Sequence, residues 1–153
     1  MIIRRYRRSD LDNIAVLEKR AFTVGPYSKR YLKTVLEYPG SISMVAQINS
    51  SICGYLVALP LDERSIDIES IATDPDCRGL GIAKRMISML INWACNEYEN
   101  IILEVRDKNT EAISLYLKMG FEIIEFLNGY YHESYRGSIN AYRMKRNCKE
   151  KTA

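Results

Sequence analysis

Apolar positions along this chain switch between a helical period and a period of two, and the switches mark out its elements. The opening IIRRY alternates as a strand. Ser9, with Asp12, reads as the capping start of a helix whose Leu11, Ile14, Leu17 and Ala21 recur at helical spacing. FTVGPYS breaks that helix, and a second short one carrying Tyr31, Leu32, Val35 and Leu36 runs to Pro39. Three strand candidates follow, ISMVAQI, ICGYLVAL and SIDIESIAT, the first two joined by a tight turn at Asn49 and Ser50. After DPDCRGLG, the positions Leu80, Ala83, Ile87, Leu90, Ile91 and Ala94 mark one face of a long helix. NIILEVRD is a short strand, and NTEAISLYLKMG is a helix capped by Asn109 and stopped by Gly120. FEIIEFL and NAYRMKR close the chain as two strands.

The order of elements predicts a mixed α/β domain with a β-turn-α-β unit at its centre. The glycine-rich turn then falls at the carboxyl end of a strand, where open sheets usually place ligands. With 153 residues and 47% apolar content, the chain makes one domain with a real core, assigned here to residues 1–146, followed by a frayed tail over 147–153.

Charge and cysteine usage narrow the classes. A net charge of +3 is mild, and the arginines of RRYRR read as a solvated sheet edge, so direct nucleic-acid binding is not expected. No apolar run reaches the length of a membrane span and the N-terminus lacks a secretory pattern, which predicts a cytoplasmic protein. Cys53, Cys77, Cys95 and Cys148 show no C-x-x-C spacing, and the single histidine, His132, has no near cysteine partner. The expectation is four reduced thiols, no metal site and no disulfide. Cys77, beside a helix N-terminus, is a bystander whose pKa that position could lower.

The turn itself carries the candidate chemistry. Glycines at the mouth of a helix let a ligand approach backbone, and the free N–H groups of the first turn favour an anion. A Walker loop needs a different spacing, and a dinucleotide fingerprint needs a third small residue where this chain has Lys84. The expected guest is therefore a pyrophosphate belonging to neither.

Arg78-Gly79-Leu80-Gly81-Ile82-Ala83, preceded by IDIESIATDP and followed by LEVRDKNTEAISLYLKMGFE, resembles the signature of the GCN5-related N-acetyltransferases (GNAT). The matches run from about Ile66 to Glu122. The resemblance implies a GNAT fold, with a mixed, largely antiparallel sheet splayed in the middle and about four helices on its two faces. It also implies acetyl-CoA as cofactor, with CoA as product and no metal. Backbone N–H groups of Arg78, Gly79, Leu80, Gly81, Ile82 and Ala83 would hold the pyrophosphate, with Arg78 or Lys84 as charge partners. The preceding strand would be bulged, with Ile71, Ala72 and Thr73 along the pantetheine and Ile71 and Thr73 hydrogen-bonding to it. A bare strand-to-helix turn is the bland alternative.

The closing LNGYYHESYRGSINAYRM and the early AFTVGPYSKRYL resemble the protein N-terminal acetyltransferases of the family, the RimI-like and Ard-type enzymes. Asn140 stands where an aspartate is usual, and no glutamate lies between Phe22 and Ser28 as in some Ard-type enzymes. In NIILEVRD, alternation puts Ile101, Leu103 and Val105 on one face and Ile102, Glu104 and Arg106 on the other, so Glu104 points toward the cleft. The resemblance makes Glu104 the base for the amine; a structural glutamate paired with an arginine is the alternative. Asn109 and Tyr116 share a helical face. By resemblance Tyr116 protonates the CoA thiolate and Asn109 contacts the cofactor, against core packing for the first and a plain N-cap for the second. Phe22, Tyr27, Tyr31, Tyr130 and Tyr131 would wall the peptide site. The implied substrate is a protein N-terminus, a ribosomal protein or nascent chains being compatible, with a ribosome or auxiliary subunit as further partners and a monomer or homodimer as assembly. Acetylation of lysine or a small amine, and CoA binding without catalysis, are the rival readings.

Overall fold

The computed structural model describes residues 1–149, and its elements follow the two periods closely. Seven strands form one sheet in the order β1-β2-β3-β4-β5-β7-β6. They are β1 (Ile2–Arg5), β2 (Ile42–Ile48), β3 (Ser51–Pro60), β4 (Ser65–Thr73), β5 (Asn100–Arg106), β6 (Glu122–Leu127) and β7 (Ala141–Asn147). Every pairing is antiparallel except β4 with β5. Helices α1 (Leu11–Ala21) and α2 (Lys29–Leu36) cover one face, and α3 (Ile82–Ala94) and α4 (Thr110–Lys118) the other.

Alternation along the strands sorts the core into two layers. Met44, Ala46, Leu56 and Ile68 pack beneath Ile82, Met86, Ile87 and Leu90 of α3. Val45, Tyr55 and Val57 point the other way, against Leu11, Ile14 and Leu17 of α1 and Leu32, Val35 and Leu36 of α2. Burying side chains of this size stabilises by about 1.5–3 kcal/mol each before entropy is counted. Gly54 sets how closely α3 approaches: a Cβ there would meet Ile82 Cγ2 at 3.0 Å, the Ala72 carbonyl at 3.1 Å and Met86 Cε at 3.1 Å.

Two irregularities shape the centre. Val57 pairs with Ser70 but Ala58 with Ile68, so Glu69 is the extra residue of a β-bulge in β4. Beyond Ile68↔Leu103 the parallel pairing of β4 and β5 stops, and the two strands part. The expected bulge and splay are both present.

Several local expectations are corrected. The first helix is not capped by Ser9 with Asp12; Ser9 lies in a short 3₁₀ turn, and the Asp10 carboxylate accepts the Arg7 N–H at 2.8 Å and a bidentate pair from Arg4 at 2.8 and 2.9 Å. Burial pushes the Asp10 carboxyl up, but Arg4 and the Arg7 N–H outweigh it and hold it below its usual range. The arginines of β1 lie on the sheet edge as expected, yet Arg4 is spent on Asp10 and Arg5 stacks over Trp93 at 4.1 Å. Leu80 does not join the α3 face. The left-handed Gly79 and Gly81 turn it outward, it is 60% exposed, and Ile82 and Met86 take the buried positions.

The thiols are not all free. Cys95, just past α3, and Cys148, just past β7, form a disulfide with Cα atoms 5.2 Å apart. Their 53-residue separation hides the pair in the sequence. Pairing of β5 with β7 brings them together, Asn100 opposite Asn147 and the Cys148 N–H donating to the Glu99 carbonyl at 2.8 Å. The tail expected from 147 thus begins with the last residue of β7 and a bonded cysteine; residues 150–153 of it lie outside the described residues.

Candidate active site

The glycine turn is built as a cradle. Asp74 accepts the Asp76 N–H at 2.9 Å and starts a short 3₁₀ turn at Pro75, after which Gly79 (φ +83°) and Gly81 (φ +74°) turn the chain into α3. A Cβ at either glycine would meet nothing within 4 Å, so the ground above the turn is open. Arg78, Gly79, Leu80, Gly81 and Lys84 are exposed there, Ala83 is half-buried, and Ile82 plugs the core below. The N–H groups of the first α3 turn have no intrahelical acceptor. This arrangement fits a pyrophosphate. Arg20 ties the turn to α1 through Asp74 at 3.1 Å and Asp76 at 2.7 Å.

On the approach to the turn, Asp74 donates its N–H to the Cys53 carbonyl at 2.8 Å. By alternation Ala72 also faces β3, and Ile71 and Thr73 turn their backbone groups to the side that β5 has left. The expectation for Cys77 is reversed: its thiol is pushed up to about 11 by hydrogen bonding with Cys53, then by burial and by Asp74 and Asp76.

Across the splay, Glu104 lies on the α1/α2 face with its side chain 13% exposed. Arg143, its cross-strand partner on β7, donates Nε to it at 3.0 Å and Nη1 to Glu125 at 2.7 Å. The paired-arginine alternative therefore describes the geometry. Sequence reading missed its neighbour. Asp67, half-buried on β4, is pushed up to about 8 by burial, then by its hydrogen bond to Glu104 and the charges of Glu104 and Glu69, against the pull of Arg143. Asp67 and Glu104 thus form a hydrogen-bonded carboxyl pair. The signal was legible only as three acids, Asp67, Glu69 and Glu104, whose strands become neighbours on folding.

Tyr116 is 7% exposed in the core beside Phe121, with ring centroids 5.9 Å apart. Burial, then Tyr131, pushes its hydroxyl up to about 12, so it keeps its proton at neutral pH. Asn109 is an N-cap, its Oδ1 accepting the Ala112 N–H at 3.3 Å.

Two aromatic walls flank the carboxyls. Tyr27 and Tyr31, rings 4.5 Å apart, both donate to Glu69 Oε1, at 3.2 and 2.6 Å. Tyr130 and Tyr131 meet edge to face at 5.0 Å on the far side, with the Arg106 guanidinium 3.8 Å above the Tyr131 ring. Tyr130 lies within electrostatic reach of Glu104, Asp67 and Tyr31, so the walls converge on the carboxyls. Phe22 instead packs against the α1/α2 core. Asn140 keeps an acceptor where an aspartate is usual: its Oδ1 takes the Gly129 N–H at 2.8 Å and its carbonyl the Asp107 N–H at 3.1 Å, fastening the loop that carries both tyrosines. Among the described residues, no group of acids, cysteines and histidine could hold a metal, and no helix is long and apolar enough to cross a membrane.

Comparison with known proteins shows the family and the fold. Residues 11–121 match the model of the Acetyltransferase (GNAT) family. An uncharacterized N-acetyltransferase of Methanocaldococcus jannaschii is 31% identical over 151 residues, covering 97% of this chain and 95% of its own. The N-alpha-acetyltransferase RimI of Mycobacterium tuberculosis is 28% identical, covering 91% and 87%. The crystal structure of Ard1 from Thermoplasma volcanium superposes with a TM-score of 0.84 at 27% identity, covering 97% of this chain and 98% of that one.

Proposed function

We propose that this chain, which belongs to the GNAT acetyltransferase family, acetylates the α-amine at protein N-termini, with acetyl-CoA as donor. The observation that carries the reading is the Glu104 carboxylate at the point where β4 and β5 part, between the open glycine turn and two tyrosine walls. Acetyl-CoA supplies an acetyl group already activated as a thioester. Backbone N–H groups of residues 78–83 would hold its pyrophosphate, and the unpaired side of β4 at Ile71 and Thr73 would receive its arm.

A protein α-amine has a reference pKa near ~8, against ~10.4 for lysine, so it needs only modest help to lose its proton. Glu104 accepts that proton, directly or through a water, and Arg143 fixes its carboxylate in place. Tyr116 Oη holds the proton that the departing sulfur takes up. The tyrosine walls orient the peptide backbone. A nascent or ribosomal protein is a compatible substrate.

The test is acetyl transfer to short peptides beginning Met, Ser, Ala or Glu, each beside an α-blocked copy that keeps an internal lysine, with spermidine as a small amine. Transfer confined to free N-termini is expected. Transfer to blocked peptides or to spermidine would replace the substrate, and tight CoA binding without transfer would replace the enzyme by a sensor.

A further inference from the structure

Glu69 neither takes nor gives a proton in the chemistry above, although its charge helps to push up Asp67, and both tyrosines of one wall converge on it. It is the extra residue of the β4 bulge, so its side chain is set apart from the strand's regular alternation. Tyr27 and Tyr31 donate to the same oxygen, Oε1. Among the described residues Glu69 has no cation within ion-pair distance, because Arg143 is engaged by Glu104 and Glu125, and Arg106 lies over Tyr131. The two tyrosines are not equally supported. Tyr27 is also anchored through its backbone N–H to Glu18 at 2.9 Å, and the buried Glu18 is held in turn by the Tyr55 hydroxyl. The Tyr31 hydroxyl has no other hydrogen-bond partner among the described residues, and its residue is 40% exposed.

We propose that Glu69 is a positioning and specificity-determining residue of the peptide entrance, clasping the Tyr27 and Tyr31 hydroxyls together and disfavouring substrates whose second residue is acidic. This rests on the N-terminal reading of the site. An ordered pair of phenols meets the peptide without first losing side-chain freedom, so the clasp acts on peptide affinity and not on the chemical step. The uncompensated carboxylate repels an acidic side chain carried in beside the α-amine.

The experiment compares wild type, Glu69→Ala and Glu69→Gln on two peptides that differ only in beginning Ser-Ala or Ser-Glu. Wild type is expected to favour Ser-Ala. Glu69→Ala removes the acceptor and should raise the peptide KM roughly tenfold, with the acetyl-CoA KM holding as the control for folding. Glu69→Gln keeps an oxygen that accepts from the tyrosines but loses the charge. It should restore most of that affinity and shrink the bias against Ser-Glu by roughly threefold. An alanine variant with the wild-type peptide KM, a glutamine variant with the wild-type bias, or acetyl-CoA KM rising along with peptide KM in both would overturn the inference. Wild type that acetylates no free N-terminus overturns the underlying reading, and this one with it.

Discussion

At Gly79 and Gly81 the backbone is shaped by two residues two positions apart, while the hydrogen bonds that fasten the tyrosine walls join residues at least eight positions apart. Glu69 collects hydroxyls from residues 27 and 31, Glu104 a guanidinium from residue 143, and Gly129 an oxygen from residue 140. The first region presents peptide N–H groups, which every residue carries, so only its φ angles need encoding, and glycine encodes them. The second presents side chains, so it exists only once the sheet has closed. A recurrent cofactor suits the first kind of site. A substrate that differs from enzyme to enzyme suits the second.

The sharpest way to separate the two is at Glu104. Glu104→Gln should lower kcat by about a hundredfold to a thousandfold at neutral pH, the range expected for loss of a positioned base. Acetyl-CoA affinity, measured by calorimetry, should hold, because the glycine turn draws nothing from β5. Equal losses of both would return Glu104 to a structural role beside Arg143.

What could be read from the chain follows the same division. All seven strands and all four helices obey local periods, and they are legible in the sequence. Leu80 was misassigned because a helical period was extended through Gly81, whose φ of +74° ends it. Ser9 was taken as the cap because the box pattern is local, whereas the Asp10 carboxylate that replaces it depends on Arg4 across a turn. The Cys95–Cys148 bond, the Asp67–Glu104 carboxyl pair and the Glu69 clasp all needed strand order, which no local period contains. Resemblance supplied Glu104 and Tyr116 and said nothing of the acids around them.

The converse break is at the turn. Gly81→Val puts a β-branched residue at φ +74°, a strain of about 1–2 kcal/mol, with open space around the new side chain and so no clash to spread it. If the free turn relaxes to relieve that strain, binding must restore it, so the acetyl-CoA KM should rise up to about tenfold while the peptide KM stays within about twofold of wild type. Steady-state kinetics with each substrate varied in turn reads both. A parallel rise in the peptide KM would mean that the two regions share more than the strand between them.

The smallest expected effect lies in stability and bears on the carboxyl pair alone. Folded Asp67 titrates at about 8, and in the unfolded chain an aspartate titrates near ~3.9, so between those values the folded protein holds a proton that the unfolded one releases. The contribution to stability is fully present below ~3.9 and is lost as pH rises through about 8, since folding there must retain or bury against a charge. Asp67→Asn keeps a donor toward Glu104 and removes that titration. From about pH 5 to about pH 8.5 the urea midpoint of wild type should fall relative to that of the variant, which lacks the titration. An identical pH slope in both proteins would mean that Asp67 ionises as an ordinary surface carboxylate, putting a negative charge beside Glu104 at the mouth in addition to Arg143.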